Sequence, residues 1–482
     1  MGRDQHRKEV IVNISIRRPK NTQWVILLII TAFLSSCSYN QQHETIIERI
    51  VLQELRIPFE TRFVTEPQIF DVTNFSQEPL YYADSDTLLL PTKDLQEFHE
   101  SYHKRFFLVW TQNLDHKSKR VLETKAYYQN QLTNLIKNPG IGENKLKRDT
   151  LFALNLAKTA NIEGEFNTMR KGIITNYTNV RVLPTIKPFY LNFLLAGEGY
   201  PFDYWQNSTI PIGTPIIIYH ETENWALIDS HICSGWVPRN YFTYIDEDSI
   251  TQMMRSEQIA ITKDKIPLFS TTNEYIGHAD IGTVFSILHE KDDHYEVIFF
   301  NRLSNNMLPL VISKNISQKI PIPLTSKNIA SIASEMMKQE YGWGGLYFNR
   351  DCSQSLLDIY IGFGILLPRN GRQQAYDFGR FHDMKGIKNN SEKKQEIIDK
   401  ATPFLTLVRT PGHIMLYIGS EDGEPLVFHT VWGVRTIDQN ELEGRHILGS
   451  TVITTLEPGK ELPHADPDMS LINRLEGITF FK

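Results

Sequence analysis

The apolar residues of this chain change period near residue 170, so it cannot fold around a single kind of element. Before that point Phe98, Tyr102, Phe106, Phe107 and Trp110 recur at three- and four-residue intervals, which marks one apolar helical face that we read as packing. From about Gly172 the pattern becomes short runs of β-formers, Ile173-Ile174, Pro215 to Tyr219, Trp225 to Ile228 and Trp236-Val237. Pro184, Gly197, Gly199, Gly213 and Gly235 fall between them, as in a small barrel. A weaker second series follows: Ile259 to Thr262, Gly282 to Leu288 and Tyr295 to Phe300. The stretch from Ser313 to Asn328, rich in Lys, Ser, Asn and Pro, reads as a linker. Helical spacing returns from Ile329 to Lys338. The expected fold class is α+β and multidomain: a helical region over 43–164, β-domains over 170–246 and 257–312, and a last α+β domain over 327–460. A length of 482 residues agrees with several cores rather than one.

Hydrophobic residues make up 41% and charged residues 22%, as in globular proteins, and a net charge of −6 argues against nucleic acid as a partner. Near the N-terminus Arg17, Arg18 and Lys20 precede an apolar run from Trp24 to Leu34, shorter than a bilayer crossing needs and followed by small residues. That is an export signal. Its end, Leu34-Ser35-Ser36-Cys37, resembles the lipobox of bacterial lipoproteins. The resemblance implies a signal over 1–37, an acylated Cys37, and an exported chain held to a membrane by lipid, facing the periplasm or cell wall. An ordinary secretory signal with an incidental Cys37 is the alternative.

The chain has three cysteines, Cys37, Cys233 and Cys352. Cys233 lies in a strand-like run and reads as a small buried residue. A Cys233–Cys352 disulfide is the other possibility, since sequence spacing carries no distance. Tyr341-Gly342-Trp343-Gly344-Gly345 must be an irregular loop, and Arg350-Asp351-Cys352-Ser353 then opens into a helical face of Leu356, Leu357, Tyr360 and Ile361. Cys352 is therefore expected at a helix N-terminus, where free N–H groups and the dipole favour a thiolate. A nucleophilic cysteine needs an oriented base. His413 and His429 lie on two late strands joined by Gly419-Ser420-Glu421-Asp422-Gly423, each eight residues from Glu421. A hairpin centred there would set the two imidazoles directly opposite, and a one-residue slip would separate them onto two faces. Cys352, His413 and His429 as ligands of a catalytic zinc is a competing reading, disfavoured because no close ligand pair is present.

These motifs, with Gly412-His413-Ile414-Met415-Leu416-Tyr417-Ile418-Gly419, resemble the NlpC family of papain-like cell-wall peptidases over about residues 327–457. The preceding region resembles the branch in which a helical domain and two bacterial SH3-like domains precede the peptidase; Arg181-Val182-Leu183-Pro184-Thr185, Pro201-Phe202-Asp203 and Gly235-Trp236-Val237 look like the first of these. The resemblance implies hydrolysis of the D-γ-glutamyl–diamino acid amide, diaminopimelate or lysine, in peptidoglycan stem peptides or muropeptide fragments, with no cofactor and no metal. Cys352 would be the nucleophile, His413 the base and His429 its orienter. In relatives that require a free N-terminal L-alanine, Asp351 would receive the amine while Ser353 and Trp343 line the pocket. Asp203, Tyr204 or Trp236 would contribute from the SH3-like side. Two departures bear on specificity: Gln354 replaces a usual glycine or alanine, and Gly371 replaces a usual serine. A catalytically silent peptidoglycan-binding lipoprotein and a papain-like acyltransferase are the other readings.

Cys352→Ala is expected to keep the fold and abolish peptide release, and His413→Ala to do nearly the same. His429→Ala should leave weak residual turnover, because an orienting group is less essential than the base. Mass spectrometry of a stem peptide incubated with each variant measures all three.

Overall fold

A computed structural model describes residues 68–112, 115–193 and 195–481, so the expected signal segment and Cys37 lie outside the described residues. The N-terminal part is helical: α1 (Phe70–Asn74), α2 (Thr92–Phe106), α3 (Leu108–Thr111), α4 (Lys119–Lys137) and α5 (Thr150–Ala160). Asp149 caps α5 by accepting from the Phe152 N–H, and Asn161 ends it in a left-handed conformation.

The first β-domain has seven strands, β1 (Arg170–Ile174), β2 (Thr178–Arg181), β3 (Gln206–Ile210), β4 (Pro215–Glu221), β5 (Trp225–Ser230), β6 (Gly235–Pro238) and β7 (Phe242–Tyr244), in the order 3-2-6-5-4-1-7. Helix α6 (Glu247–Arg255) leads to the second, made of β8 (Gln258–Ile261), β9 (Ile266–Ser270), β10 (Tyr275–Ala279), β11 (Val284–Glu290), β12 (His294–Val297), β13 (Leu310–Ser313) and β14 (Ser317–Lys319). The last strand corrects the expected linker over 313–328: β14 pairs with β8, and its apolar content is too low to show in the pattern. The second β-domain therefore runs past 312.

The last domain contains α7 (Ser326–Glu335), α8 (Cys352–Ile361), α9 (Gly371–Tyr376) and α10 (Asn390–Lys400). Its six-stranded antiparallel sheet is β15 (Arg380–Asp383), β16 (Thr406–Thr410), β17 (His413–Glu421), β18 (Glu424–Ile437), β19 (Glu443–Thr454) and β20 (Gly477–Phe480), ordered 15-20-16-17-18-19. The expected boundary at 460 is too early, because β20 fills the place between β15 and β16. Every residue of α8 after Cys352 is buried, as a helix covered on all sides requires.

The aromatic stripe of α2 and α3 packs as expected, but against two partners. Trp110 Nε1 donates to Gly172 O at 3.0 Å and Ile216 O at 3.2 Å in the first β-domain, whereas Phe98 stacks on Phe378 of the last, ring centroids 5.7 Å apart. The segment before α2 also lies on the last domain: Asp71 accepts from Thr455, and Gln77 exchanges two 2.9 Å hydrogen bonds with the Ile453 backbone. It is thus not a separate helical core.

Arg350 joins the second β-domain to α8. It is 5% exposed, and it donates through Nε to Asp358 at 2.7 Å and through both terminal nitrogens to Asp264 at 2.7 and 2.8 Å. Removing one member of a buried ion cluster strands the others in low dielectric, at a cost of roughly 3–5 kcal/mol. Arg350→Met should lower the unfolding free energy by about that much in urea titration; a loss within error of zero would show that the cluster contributes nothing net.

Candidate active site

Cys352 is the first residue of α8, and Asp351 caps it by accepting from the Gln354 N–H at 2.9 Å. The helix start thus matches the sequence expectation, but the charge state does not. Burial pushes the Cys352 thiol up, the neighbouring Asp351 carboxylate pushes it further, and the N–H groups of Ile414 and Ser353 with Arg369 only partly offset this, leaving it at about 11. A helix N-terminus acts through the first turn at about 0.3–1 kcal/mol, too little to overcome desolvation and an adjacent carboxylate. The Ile414 N–H that points at the sulfur belongs to the residue after His413, so the start of β17 lies against the nucleophile.

The two histidines meet. His413 Nε2 and His429 Nδ1 are 2.7 Å apart, and His429 Nε2 lies 3.0 Å from Thr454 Oγ1 on β19. They are not directly opposed, as a hairpin centred on Glu421 requires. The loop is only Asp422-Gly423, both with positive φ, +51° and +78°, the signature of a two-residue hairpin turn, so Glu421 faces Glu424. That register alone would put His429 opposite Leu416 and turn the imidazoles to opposite faces. A bulge between Tyr417 and Gly419 shifts the pairing by one, Leu416 to Phe428, which places His429 opposite Met415 and diagonal to His413 on one face. Burial, then the charges of Arg409 and Arg474, lower His413 to about 4; burial and His413 hold His429 well below the ordinary range. Cysteine and histidine therefore rest as a neutral pair.

Asp351 is 8% exposed and carries five donors: Arg369 Nη2 at 2.7 Å and Nη1 at 3.1 Å, Ser353 Oγ at 3.0 Å, Gln354 N at 2.9 Å and Gly344 N at 3.1 Å. Burial raises its carboxyl, but the Arg369 charge and hydrogen bonds outweigh this and hold it below its ordinary value. Arg369 also donates to Ser208 Oγ at 2.8 Å, so the carboxylate is braced from the first β-domain. Gln354, the departure noted in the sequence, reaches Thr209 Oγ1 at 3.2 Å on the same strand.

The loop Trp343–Phe348 lies on β3. Gly344 and Gly345 have φ of +59° and +83°, and a Cβ on either would come within 2.5 Å of Gln206 O or Thr209 Oγ1, so neither position admits a side chain. Trp343, partly exposed, meets Phe202 at 5.2 Å and Tyr204 at 6.3 Å, and Phe202 also reaches Trp432 at 6.1 Å. Of the three candidates on the SH3-like side, Tyr204 reaches this wall. Asp203 is bound inside its own domain by Arg181, Phe189 N and Trp205 N, and Trp236 is fully buried. Phe202, Trp432, Arg369 and Thr454 were not singled out as site residues. Phe202 sits in a quoted motif, but strand pattern alone does not say which of its neighbours turns toward another domain. Cys233 and Cys352 are both free thiols, and burial drives Cys233 up to about 12.

Comparison with known proteins accords with this arrangement. Residues 26–164 match the family described as NLPC_P60 stabilising domain, N term; residues 188–238 match an SH3 domain of SH3b1 type and 246–291 one of SH3b2 type. The three matches follow one another in the order of a stabilising domain and two SH3 domains, as the sequence resemblance implies. A solved NlpC/P60 endopeptidase of Photobacterium damselae subsp. piscicida is 24% identical with a TM-score of 0.75, covering 86% of this chain and 98% of its own, which establishes the shared fold. An NlpC/P60 family protein of Bacillus cereus is 15% identical with a TM-score of 0.44, over 64% of this chain and 99% of its own. No curated protein matches the sequence.

Position 371 faces the nucleophile region: a Cβ on Gly371 would lie 3.0 Å from Ile414 Cγ2 and 3.6 Å from Ser353 Cβ. The neutral resting pair has a direct consequence. Alkylation of Cys352 by iodoacetamide, read by mass spectrometry of its peptide, should keep accelerating with pH from 9 up to about 11. A rate already flat near about pH 8 would mean that a thiolate exists at rest.

Proposed function

We propose that this protein is a cysteine peptidase that hydrolyses the D-γ-glutamyl–diamino acid amide of peptidoglycan stem peptides or their muropeptide fragments. The observation that carries the reading is the His413–His429 pair, 2.7 Å between nitrogens, with His413 on the strand that also presents the Ile414 N–H to the Cys352 sulfur. His429 occupies one nitrogen of His413, which leaves Nδ1 for the thiol. With both groups neutral at rest, His413 Nδ1 takes the thiol proton as sulfur attacks the amide carbon, and the attack is general-base assisted. The Cys352 N–H, at the first position of its helix, has no intrahelical acceptor and stabilises the tetrahedral oxyanion. The amine leaves with the proton held by His413, and water deprotonated by the same ring then cleaves the thioester.

Trp343 with Phe202 and Tyr204 forms the apolar wall of the substrate groove, and the two SH3-like domains hold the wall polymer. A free substrate amine would reach Asp351 only by competing with the donors already on it. Its charge is already balanced by Arg369 and its lone pairs are occupied, so an incoming ammonium must displace Ser353 Oγ or the Gly344 N–H. Gly371 stands where relatives carry a serine, and Ile414 crowds the place a Cβ would take there, consistent with altered fine specificity and unaltered chemistry. The protein works outside the cytoplasm, tethered through a lipid on Cys37.

The test uses the chain from Ser38 onward with L-Ala-γ-D-Glu-diaminopimelate and its N-acetylated form, and Cys352→Ala as control. Cleavage of the free-amine peptide alone would support both the peptidase and the Asp351 pocket. Cleavage of both keeps the peptidase and removes the pocket. With folded protein and reduced thiol, cleavage of neither would replace this proposal by a silent wall-binding role.

A further inference from the structure

The His413–His429 pair contains no carboxylate, so something else must decide which nitrogens carry protons. In neutral imidazole one nitrogen donates and the other accepts, and the pair works only if His413 Nδ1 is the acceptor. Two arrangements fit the 2.7 Å contact between His413 Nε2 and His429 Nδ1. In one, His413 Nε2–H donates to His429 and Nδ1 is free to take the thiol proton. In the other, His429 Nδ1–H donates to His413, whose proton then sits on Nδ1, which is unable to accept.

The choice is made one residue further out. Thr454 Oγ1 lies 3.0 Å from His429 Nε2 and 2.7 Å from the Thr455 carbonyl oxygen. A hydroxyl has one proton, and a carbonyl can only accept, so that proton goes to Thr455 O. The oxygen lone pair is then what His429 Nε2 meets, and Nε2 must carry hydrogen. His429 and Thr454 are 1% and 0% exposed, so water does not supply an alternative donor, and a mismatched buried contact would cost about 1–3 kcal/mol.

We infer that Thr454 is a positioning residue that sets the tautomers of both imidazoles, and that Asp71 holds it there from the N-terminal segment. The Asp71 link is geometric: one carboxylate oxygen accepts from Thr455 N at 2.6 Å and Thr455 Oγ1 at 2.7 Å, all of it buried, and Gln77 brackets Ile453 on the other side of Thr454. The peptide carrying the Thr455 carbonyl is thereby held in place, and with it the acceptor of the Thr454 proton. The chain of hydrogen bonds runs Asp71, Thr455, Thr454, His429, His413, and it begins outside the catalytic sheet.

The kinetic consequence rests on the peptidase reading; the tautomers do not. In 15N-labelled imidazole NMR at neutral pH the wild-type protein should show His413 and His429 both protonated on Nε2. Thr454→Val keeps shape and removes the acceptor, so His429 should shift its proton toward Nδ1. Losing the right tautomer in a comparable triad costs on the order of 10⁴ in kcat; here kcat should fall at least about 100-fold with KM little changed. Thr454→Ser should restore both the spectrum and kcat, and Asp71→Ala should give a mixture of tautomers and an intermediate kcat. A wild-type His429 with its proton on Nδ1 would overturn the inference without any variant having to fold. So would Thr454→Val with wild-type kcat and spectrum, and an unchanged Asp71→Ala would remove the Asp71 link. Wild-type protein with the inferred tautomers but no cleavage of any stem peptide would sink the peptidase reading instead.

Discussion

One carboxylate, that of Asp351, organises the molecule. It caps the nucleophile helix, takes an N–H from the Trp343 loop, and is paired in buried surroundings with Arg369, which in turn bonds Ser208 of the first β-domain. A buried charge tolerates no vacancy among its partners, so these contacts fix the loop, the helix start and the docking of the SH3-like domain together. The same charge acts against a resting thiolate at Cys352. Burial is the larger cause of the high thiol pKa, and the carboxylate that places the nucleophile adds to it.

The base is built under the opposite constraint. Burial disfavours a cation on either His413 or His429, and the charges of Arg409 and Arg474 add to the penalty at His413. A carboxylate partner would raise the base and encourage a standing ion pair. An imidazole partner orients without doing so, and it leaves proton transfer to the moment of attack. Orientation then depends on hydroxyl and backbone groups behind His429, and the N-terminal segment packs against these. Asp71 and Gln77 grip the end of β19 from a part of the chain nearly four hundred residues away in sequence.

The local requirements could be read from the chain itself. The start of α8 is legible because Asp351 precedes an apolar helical face, and the loop before it because Gly344 and Gly345 allow no regular element. The aromatic stripe shows a packed face, and the two β-domains show in their turn spacing. What failed was whatever depends on a partner distant in sequence. β14 and β20 are short and unremarkable alone, and each exists because an open strand edge awaits it.

By itself, then, the sequence determined the order of domains and the residue types available for chemistry: a cysteine at a helix start, with two histidines on late strands. Those follow from periodicity, capping and turn preference, which act within a few residues. The tertiary structure alone decided that the histidines share a face. The Asp422-Gly423 turn by itself would separate them, and one extra residue between Tyr417 and Gly419 brings them back, because side chains alternate with a period of two. It alone decided that Tyr204 and Phe202, not Asp203 or Trp236, meet Trp343. It also decided that the thiol is protonated at rest, since desolvation is a property of everything packed around a group and not of its neighbours in the chain.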